Sequence, residues 1–333
     1  MLANTAAAVF LVILAVFGLV LLLWLAYVLL DGLGERGLIA GPRPTPKRRT
    51  PRRQPRSKHN LAQLTWRLRT TPDELQAIPC RYRNSRIPKR TSGHRTLYIP
   101  DEPLKAIQRS LLGRVLRNLK VHPAATGFEP GLSIAHNAAF HAGQAVVIKL
   151  DLKDFFPSTT ADRVNHYFRL IGWDAEAAAL LTRLTTYEDG LPQGAPTSPR
   201  LANLVNYVLD AQIERYVRKH HGTYTRYADD ITVSYPEDWP KYVRGTIQKV
   251  RRVAKAHGYT VHTRGKLRVL RQHQQQRVTG LVVNNRVNLP RQKRRWLRAV
   301  EHRLRTTGEA SLTPEQLDGW HALQAMIAQH RDA

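Results

Sequence analysis

The most constraining feature of this sequence is a pair of adjacent aspartates, Asp229 and Asp230, inside a short apolar segment. The flanking residues, Thr223–Tyr227 and Ile231–Tyr235, are rich in β-branched and aromatic side chains, which predicts two strands joined by a tight turn. Adjacent carboxylates repel each other, and a divalent cation such as Mg²⁺ would turn them into ligands. A solvated Asp-Asp turn is the alternative, and for an isolated dipeptide it is the commoner one.

A third carboxylate ends another apolar run. Residues Ala145–Asp151 predict a buried strand, and the end of such a strand is where a functional carboxylate is exposed. Asp151, Asp229 and Asp230 together are the ligand set required by two divalent cations about 3.5–4 Å apart in phosphoryl transfer. The three aspartates therefore predict a two-metal site.

Two other features accompany the aspartates. Phe156 lies five residues after Asp151, and its ring beside a nucleotide sugar would leave no room for a 2′-hydroxyl. Core packing is the alternative for Phe155 and Phe156, and we expect one of the two rings to have only that role. The small-residue loop Leu191–Pro199 allows a nucleotide to approach the backbone, and Ser198 before a proline predicts a helix N-cap there.

This order of strand aspartate, Gly/Pro loop and aspartate hairpin resembles the palm of reverse transcriptases, over about residues 80–330. Tyr227–Asp230 is similar to the catalytic box of that family, and Asp151 to its first metal-binding aspartate. Leu191–Gly194 is similar to the loop that lies against the incoming nucleotide. The resemblance implies an α+β right-hand polymerase fold of fingers, palm and small helical thumb, with two Mg²⁺ ions held by the aspartates.

The resemblance also implies roles for single residues. Lys89 and Arg95, in a segment similar to the fingers, would bind the deoxynucleoside triphosphate, whereas two solvated hairpin cations are the alternative. Phe156 would select deoxynucleotides and Gln193 would contact the nucleotide or the template. Tyr227 would support the primer end.

One segment departs from the family pattern. After the helix that follows the hairpin, the family usually has Ile-Asn-x-x-Lys-Thr, and this chain has Val261–Leu267. The asparagine is replaced by His262, the lysine comes one residue late and the threonine is missing. Lys266 is the expected triphosphate ligand of this segment.

Two short motifs narrow the resemblance to the retron branch of bacterial reverse transcriptases. Asn137–His141 is similar to its Asn-Ala-x-x-His signature, and Val278–Gly280 to its Val-Thr-Gly signature. For His141 the alternative is helix packing, and for Gly280 a bend between strands. The residues expected to give RNA specificity are Asn137, His141, Val278, Thr279 and Gly280.

Composition agrees with a nucleic-acid partner. The chain has 333 residues with 52 Lys and Arg against 25 Asp and Glu, a formal charge of +27. Such an excess predicts a polyanionic partner bound in a salt-dependent way. The single cysteine, Cys80, excludes an intramolecular disulfide and a cysteine-based zinc site.

The first residues predict a membrane segment. Ala6–Leu30 contains 25 uncharged residues, and a helix of that length, about 37 Å, would cross the roughly 30 Å hydrocarbon core of a bilayer. A secretory signal peptide is the alternative, but no Lys or Arg precedes the run. We expect residues 1–31 to be a single transmembrane segment that contacts the bilayer through residues 6–30.

A basic, proline-rich segment follows the apolar run. Arg43–Lys58 holds eight basic residues and no acidic one, and residues 32–60 are expected to be a disordered linker. The positive-inside rule then places the polymerase in the cytoplasm, anchored to the inner (cell) membrane. The linker suits either anionic lipid headgroups or RNA.

The remaining chain divides into two predicted regions. Residues 61–285 are expected to form the fingers and palm, and residues 286–333 a helical thumb. The basic stretch Pro290–Arg298 opens the thumb, where Arg295 and Arg298 would follow the template–primer backbone. Trp296 is expected to pack in the core, with base stacking as the alternative. Helices are also predicted over about 60–79, over about 102–119 and from Ser198 to about 220.

The retron resemblance implies a specific activity. Such an enzyme copies a dedicated structured noncoding RNA, primes from a 2′-hydroxyl of one of its guanosines and leaves a branched RNA–DNA product. Many act in antiphage defence, so that the membrane segment is expected to be an effector or a tether. A non-retron bacterial defence or group II-like reverse transcriptase, and a catalytically silent membrane-tethered RNA-binding protein, are the alternatives.

Overall fold

The computed structural model describes residues 58–88, 93–262, 265–309 and 311–330. The predicted transmembrane segment, the linker up to residue 57 and Lys89 lie outside the described residues. Within the described part of the chain, no helix combines the length and apolarity needed to cross a membrane.

The described residues form an α+β fold with antiparallel sheets. The helices are α1 Leu61–Leu68, α2 Pro72–Ala77, α3 Glu102–Leu111, α4 Ile134–Ala139, α5 Ala161–Leu170, α6 Ala175–Thr185, α7 Ser198–Val205, α8 Tyr207–Lys219, α9 Pro240–Ala256, α10 Arg291–Thr307 and α11 Pro314–Ala328. The strands are β1 Tyr82–Pro88, β2 His94–Pro100, β3 Val146–Asp151, β4 Thr223–Tyr227, β5 Asp230–Tyr235, β6 Arg268–Arg271, β7 Arg277–Val278 and β8 Leu281–Val282.

The central sheet has the strand order β4-β5-β3-β6, and every neighbouring pair in it is antiparallel. The predicted strand ending at Asp151 and the predicted aspartate hairpin are therefore confirmed, and they pair with each other. β3 is buried at nearly every position because helices cover the sheet. The main core joins β3 and β5 to α5, α6, α7, α8 and α9.

Predicted helices are interrupted where the backbone leaves the helical region. The segment predicted helical over 60–79 breaks at Arg69, whose φ of 58° is left-handed. The helix predicted from Ser198 to about 220 divides at Asn206 into α7 and α8. Ser198 is the first residue of α7 and Thr197 its N-cap, so the predicted serine cap was wrong. The helix predicted over 102–119 ends in the π-helical turn Leu112–Leu116.

The last three residues of the predicted linker are ordered, contrary to the prediction. The backbone N–H groups of Lys58 and His59 donate to the carbonyl of Gly172 at 2.9 and 3.0 Å. Asn60 caps α1 through its side chain, which accepts from the N–H of Gln63. These hydrogen bonds satisfy backbone groups of residues 58–60 and fix them against the rest of the described chain.

A second apolar cluster connects α4, the β7–β8 hairpin and the C-terminal helix. Its buried members include Ala138, Val147, Val278, Leu281 and Ile327. In α10, Trp296 packs edge-on against Trp320 of α11, with ring centroids 5.5 Å apart. This half-buried position agrees with the packing role expected for Trp296.

Candidate active site

Two of the three predicted ligands face each other across paired strands. Asp151 ends β3 and Asp230 begins β5, and the two are register partners in the antiparallel ladder. Directly opposite side chains in such a ladder have Cβ atoms about 4.5–5.5 Å apart. Both carboxylates line a cavity of about 510 Å³, together with Lys149, Lys266 and Arg268.

The third aspartate lies in the turn of the β4–β5 hairpin. Tyr227 pairs with Asp230, so that the loop consists of Ala228 and Asp229 alone. Ala228 has a φ of 58°, the positive value that a two-residue hairpin loop demands. The carbonyl of Asp229 accepts a hydrogen bond from the N–H of Leu152 at 3.0 Å, which ties the turn to the end of β3.

Burial and the neighbouring negative charges make the carboxyl groups of Asp229 and Asp230 costly to ionise. Burial, then the neighbouring Asp151 and Asp230 charges, raise the pKa of Asp229 above its usual value. Burial also raises the pKa of Asp230, an effect that Lys149 opposes and Asp151 reinforces. A cation at this point would relieve both effects. Lys266 Nζ lies 2.8 Å from Asp151 Oδ1.

The donor chemistry suits a hard divalent cation, since Asp151 and Asp230 offer carboxylate oxygens to one cavity and Asp229 lies in the adjoining turn. In the described part of the chain, no three His, Cys, Asp or Glu side chains already converge on one point as a ready ligand set. Asp151 instead contacts Lys266 and His262 Nε2, the latter at 3.5 Å. Asp151 and Asp230 are the pair best placed to share a cation.

A fully buried ion pair supports the β4–β5 hairpin. Arg226 of β4 donates to both carboxylate oxygens of Asp210 in α8, at 2.7 and 2.6 Å. Arg226 Nη1 also donates to the carbonyl of Ala228 at 3.1 Å and to Asn203 Oδ1 at 3.2 Å. Tyr224 donates its hydroxyl to Asp210 at 2.7 Å. Arg226 thus holds the backbone of the turn formed by Ala228 and Asp229.

His141 also supports the β4–β5 hairpin, through hydrogen bonds to both of its strands. It is fully buried, and its ring nitrogens lie 2.7 Å from Ser234 Oγ on β5 and 2.8 Å from Thr225 Oγ1 on β4. Burial lowers the pKa of His141 to about 3, so the ring is neutral at physiological pH. This histidine connects the two strands that carry the aspartates.

The residues predicted to give RNA specificity differ in burial. Asn137, His141 and Val278 are buried, so any effect of these three side chains on RNA specificity would be through the structure they support. Asn137 accepts from Thr126 at 2.6 Å. Thr279 and Gly280 form the turn of the β7–β8 hairpin, with φ values of 47° and 85°.

The Val-Thr-Gly turn is attached to the helix that carries the other signature. Thr279 Oγ1 donates to the carbonyl of Ile134 in α4 at 2.8 Å. Thr279 is half-buried and Gly280 is exposed. Gly280 also lines the cavity that contains Asp151 and Asp230. Of the five predicted residues, only Thr279 and Gly280 have surface available to RNA.

Aromatic rings form one edge of the site. Phe155 is buried and stacks on Tyr259, with ring centroids 5.6 Å apart, whereas Phe156 is half-buried. One ring of the pair is therefore a core residue, as expected. Phe128, which the sequence did not single out, has its ring centroid 6.1 Å from Phe156 and 6.2 Å from Tyr227.

The predicted nucleotide-binding loop is joined to the β1–β2 hairpin. The carbonyl of Gln193 accepts from the N–H of Tyr98 in β2 at 2.7 Å, and the Gln193 residue is half-buried. Gly194 has a φ of 118°, and a Cβ there would lie 3.1 Å from the carbonyl oxygen of Tyr98. Arg95 is exposed on β2. Arg295 and Arg298 are exposed on α10.

Comparison with known proteins agrees with this geometry. A family profile described as "Reverse transcriptase (RNA-dependent DNA polymerase)" matches residues 87–283. The chain is 38% identical over 263 residues to the retron Mx65 reverse transcriptase of Myxococcus xanthus, covering 72% of this chain and 60% of that protein. It is 36% identical over 227 residues to the retron Ec86 reverse transcriptase of Escherichia coli, covering 68% and 69%.

A solved structure titled as telomerase from Candida albicans with a fragment of telomeric RNA has a TM-score of 0.48 at 10% identity, over 67% of this chain and 47% of that one. That likeness is too distant to bear on function. The chain belongs to the reverse transcriptase family, in its retron branch. It spans about three fifths of the length of the Myxococcus relatives that it matches.

Proposed function

We propose that this protein is an RNA-directed DNA polymerase that copies a structured noncoding RNA. The observation that carries the proposal is the register pairing of Asp151 with Asp230, with Asp229 in the adjoining turn. A strand end and a tight turn bring Asp151 and Asp230 into one basic cavity, with Asp229 in the adjoining turn. Membership of the retron branch supports a template–primer of RNA, with deoxynucleoside triphosphates as substrates.

The proposed mechanism depends on position and charge. Asp151, Asp229 and Asp230 would hold two Mg²⁺ ions, which when bound lower the pKa of the primer hydroxyl and neutralise the triphosphate and pyrophosphate. The chain contributes a fixed carboxylate geometry, because Arg226 and His141 hold the hairpin. Phe156 limits the space beside the nucleotide sugar and Tyr227 supports the primer end.

Basic side chains supply the rest of the substrate site. Lys266, beside Asp151, and the exposed Arg95 are proposed to bind the triphosphate, with Lys89 from the same segment of sequence. Gln193 is proposed to contact the nucleotide or the template. Arg295 and Arg298, exposed on α10, are proposed to follow the phosphate backbone of the template–primer.

Primer extension tests the proposal. The purified full chain, given a DNA primer on an RNA template with Mg²⁺ and dNTPs, should extend the primer. Asp229→Asn and Asp230→Asn should reduce extension by more than about 10²-fold while RNA binding is retained. Asp154→Asn is the matched control, since Asp154 is exposed and its left-handed φ of 47° suits asparagine. Extension by Asp230→Asn at the wild-type rate would contradict the proposal.

Sugar selection tests the role of Phe156. Phe156→Ala should raise ribonucleotide incorporation relative to deoxynucleotide incorporation, because the smaller side chain leaves room for a 2′-hydroxyl. The measurement is the ratio of kcat/KM for dGTP and GTP on the same template. An unchanged ratio would remove Phe156 from this role.

We infer from the retron branch that the product is a branched RNA–DNA molecule primed from a guanosine 2′-hydroxyl. Sequencing the nucleic acid that copurifies with the chain tests this point. One recurrent structured RNA joined to cDNA would support it. A mixture of cellular RNAs would favour the non-retron or group II-like alternative.

We further propose that residues 6–30 attach the protein to the cell membrane and take part in antiphage defence, as effector or tether. The support is the charge-free run itself, followed by a basic segment. A chain lacking residues 1–40 should leave the membrane fraction yet still synthesise DNA. Loss of phage protection in that chain would support the effector role, and full protection would contradict it.

A further inference from the structure

Phe128 combines an exposed ring with an unfavourable backbone. Its φ of 65° lies in the left-handed region, and its side chain is 46% exposed. A bulky residue at positive φ is a genuine outlier among non-glycine residues. Such strain persists where surrounding contacts impose it, and it concentrates at functional sites.

The segment just before Phe128 is bonded to the hairpin that contains the aspartate turn. Backbone hydrogen bonds of 2.7 and 2.9 Å connect Ala124–Thr126 to Arg226. Asn203 Nδ2 donates to the carbonyl of Gly127 at 2.7 Å. A Cβ on Gly127 would lie 2.7 Å from the backbone nitrogen of Ala228, so that only glycine fits there. The loop is therefore held directly against the hairpin that carries Asp229 and Asp230.

The ring of Phe128 extends the aromatic edge of the site. Its centroid is 6.1 Å from that of Phe156 and 6.2 Å from that of Tyr227, within the usual range for interacting aromatic pairs. Phe156 is the residue proposed to face the sugar of the incoming nucleotide, and Tyr227 the one proposed to support the primer end. Phe128 lies beside both rings and keeps nearly half of its surface free.

We propose that Phe128 binds the terminal nucleotide of the primer, as a third aromatic wall of the polymerase site. This assignment rests on the proposed function. An apolar ring suits this position because the terminal nucleotide changes at every cycle, and contact with an aromatic face tolerates every base. The strained backbone is then the means by which an exposed ring is kept at the primer end.

The test compares the loss of the Phe128 ring with the loss of the base at the primer terminus. Phe128→Ala should raise the KM for the primer–template about tenfold in single-nucleotide addition. Primers with an abasic terminal nucleotide should show the same rise with the wild-type chain, and little further rise with Phe128→Ala. An abasic site five nucleotides from the end should combine additively with the substitution. Phe128→Gly, which permits a positive φ without strain, should reproduce the KM defect of Phe128→Ala.

Trp239→Ala is the control. Trp239 is also an exposed aromatic residue, with 55% of its surface exposed, but it follows Tyr235, the last residue of β5, whereas Asp230 is the first. It should leave the KM and the effect of the abasic terminus unchanged. Additive effects of Phe128→Ala and the abasic terminus would overturn the assignment. So would a wild-type KM for Phe128→Gly, which would attribute the defect to the backbone. A wild-type chain that extends no primer would overturn the proposed function and this assignment with it.

Discussion

Two of the antiparallel hairpins in the described residues, β4–β5 and β1–β2, differ strongly in burial. In the β4–β5 hairpin most residues are buried, and hydrogen bonds of Arg226 to Asp210 and of His141 to both strands hold it in place. The β1–β2 hairpin is largely exposed along β1. A buried polar network suits the proposed metal ligands, which need one geometry, whereas an exposed hairpin suits Arg95, which is proposed to bind the triphosphate.

Breaking the buried ion pair should have the largest effect. Arg226→Ala leaves Asp210 buried without its partner, and we expect a loss of about 3–5 kcal/mol in the free energy of unfolding. Urea denaturation measures this loss. Arg218→Ala, an exposed change on the same helix as Asp210, should stay within about 0.5 kcal/mol. A loss below about 1 kcal/mol for Arg226→Ala would show that the network does not support the hairpin.

Acid should weaken the same hairpin through His141. Its pKa is about 3 in the fold against 6.5 for the free side chain, so the unfolded chain takes up a proton first. The contribution of His141 is fully present above pH 6.5, and stability is lost as the pH falls from 6.5 toward 3, by up to roughly 1.4 kcal/mol per pH unit.

The melting temperature measured across that pH range tests the histidine. His141→Gln keeps a hydrogen-bonding side chain but does not titrate, so its stability should fall less steeply below pH 6.5. Parallel curves for the variant and the wild type would exclude His141 as the source of the acid sensitivity.

A substitution in the exposed β1–β2 hairpin should weaken substrate binding and leave the stability of the fold nearly unchanged. Arg95→Ala should change the free energy of unfolding by less than about 0.5 kcal/mol, because Arg95 is exposed. It should raise the KM for dNTPs while leaving the KM for the primer–template unchanged. Steady-state kinetics and urea denaturation of one preparation check both points. A large loss of stability with an unchanged KM would reverse the contrast between the hairpins.

Short sequence patterns correctly predicted the elements whose structure depends mainly on residues close together in the chain. The apolar run ending at Asp151 and the β-branched residues around Asp229 are sufficient to form β3 and the β4–β5 hairpin. His141 had no such signal, because its partners Thr225 and Ser234 lie 84 and 93 residues away. Its motif predicted RNA specificity with helix packing as the alternative, and the structure adds hydrogen bonds to two strands that the sequence did not predict.

Phe128 was missed for a related reason. An exposed ring on a residue with positive φ follows no hydrophobic periodicity, and the close approach of Gly127 to Ala228 joins segments far apart in the sequence. The break between α7 and α8 at Asn206 was also missed, since the apolar pattern continues through it. In both places tertiary contacts decide the backbone conformation.

The most direct test of the aspartate centre is divalent-ion binding. Mn²⁺ can be titrated by electron paramagnetic resonance into the full chain carrying an RNA template, a dideoxy-terminated primer and dNTP. The wild-type chain and Asp154→Asn should bind two ions per chain. Asp151→Asn and Asp230→Asn should each lose at least one of them. Equal Mn²⁺ binding by the wild-type chain and these two variants would contradict the assignment of the carboxylates as metal ligands.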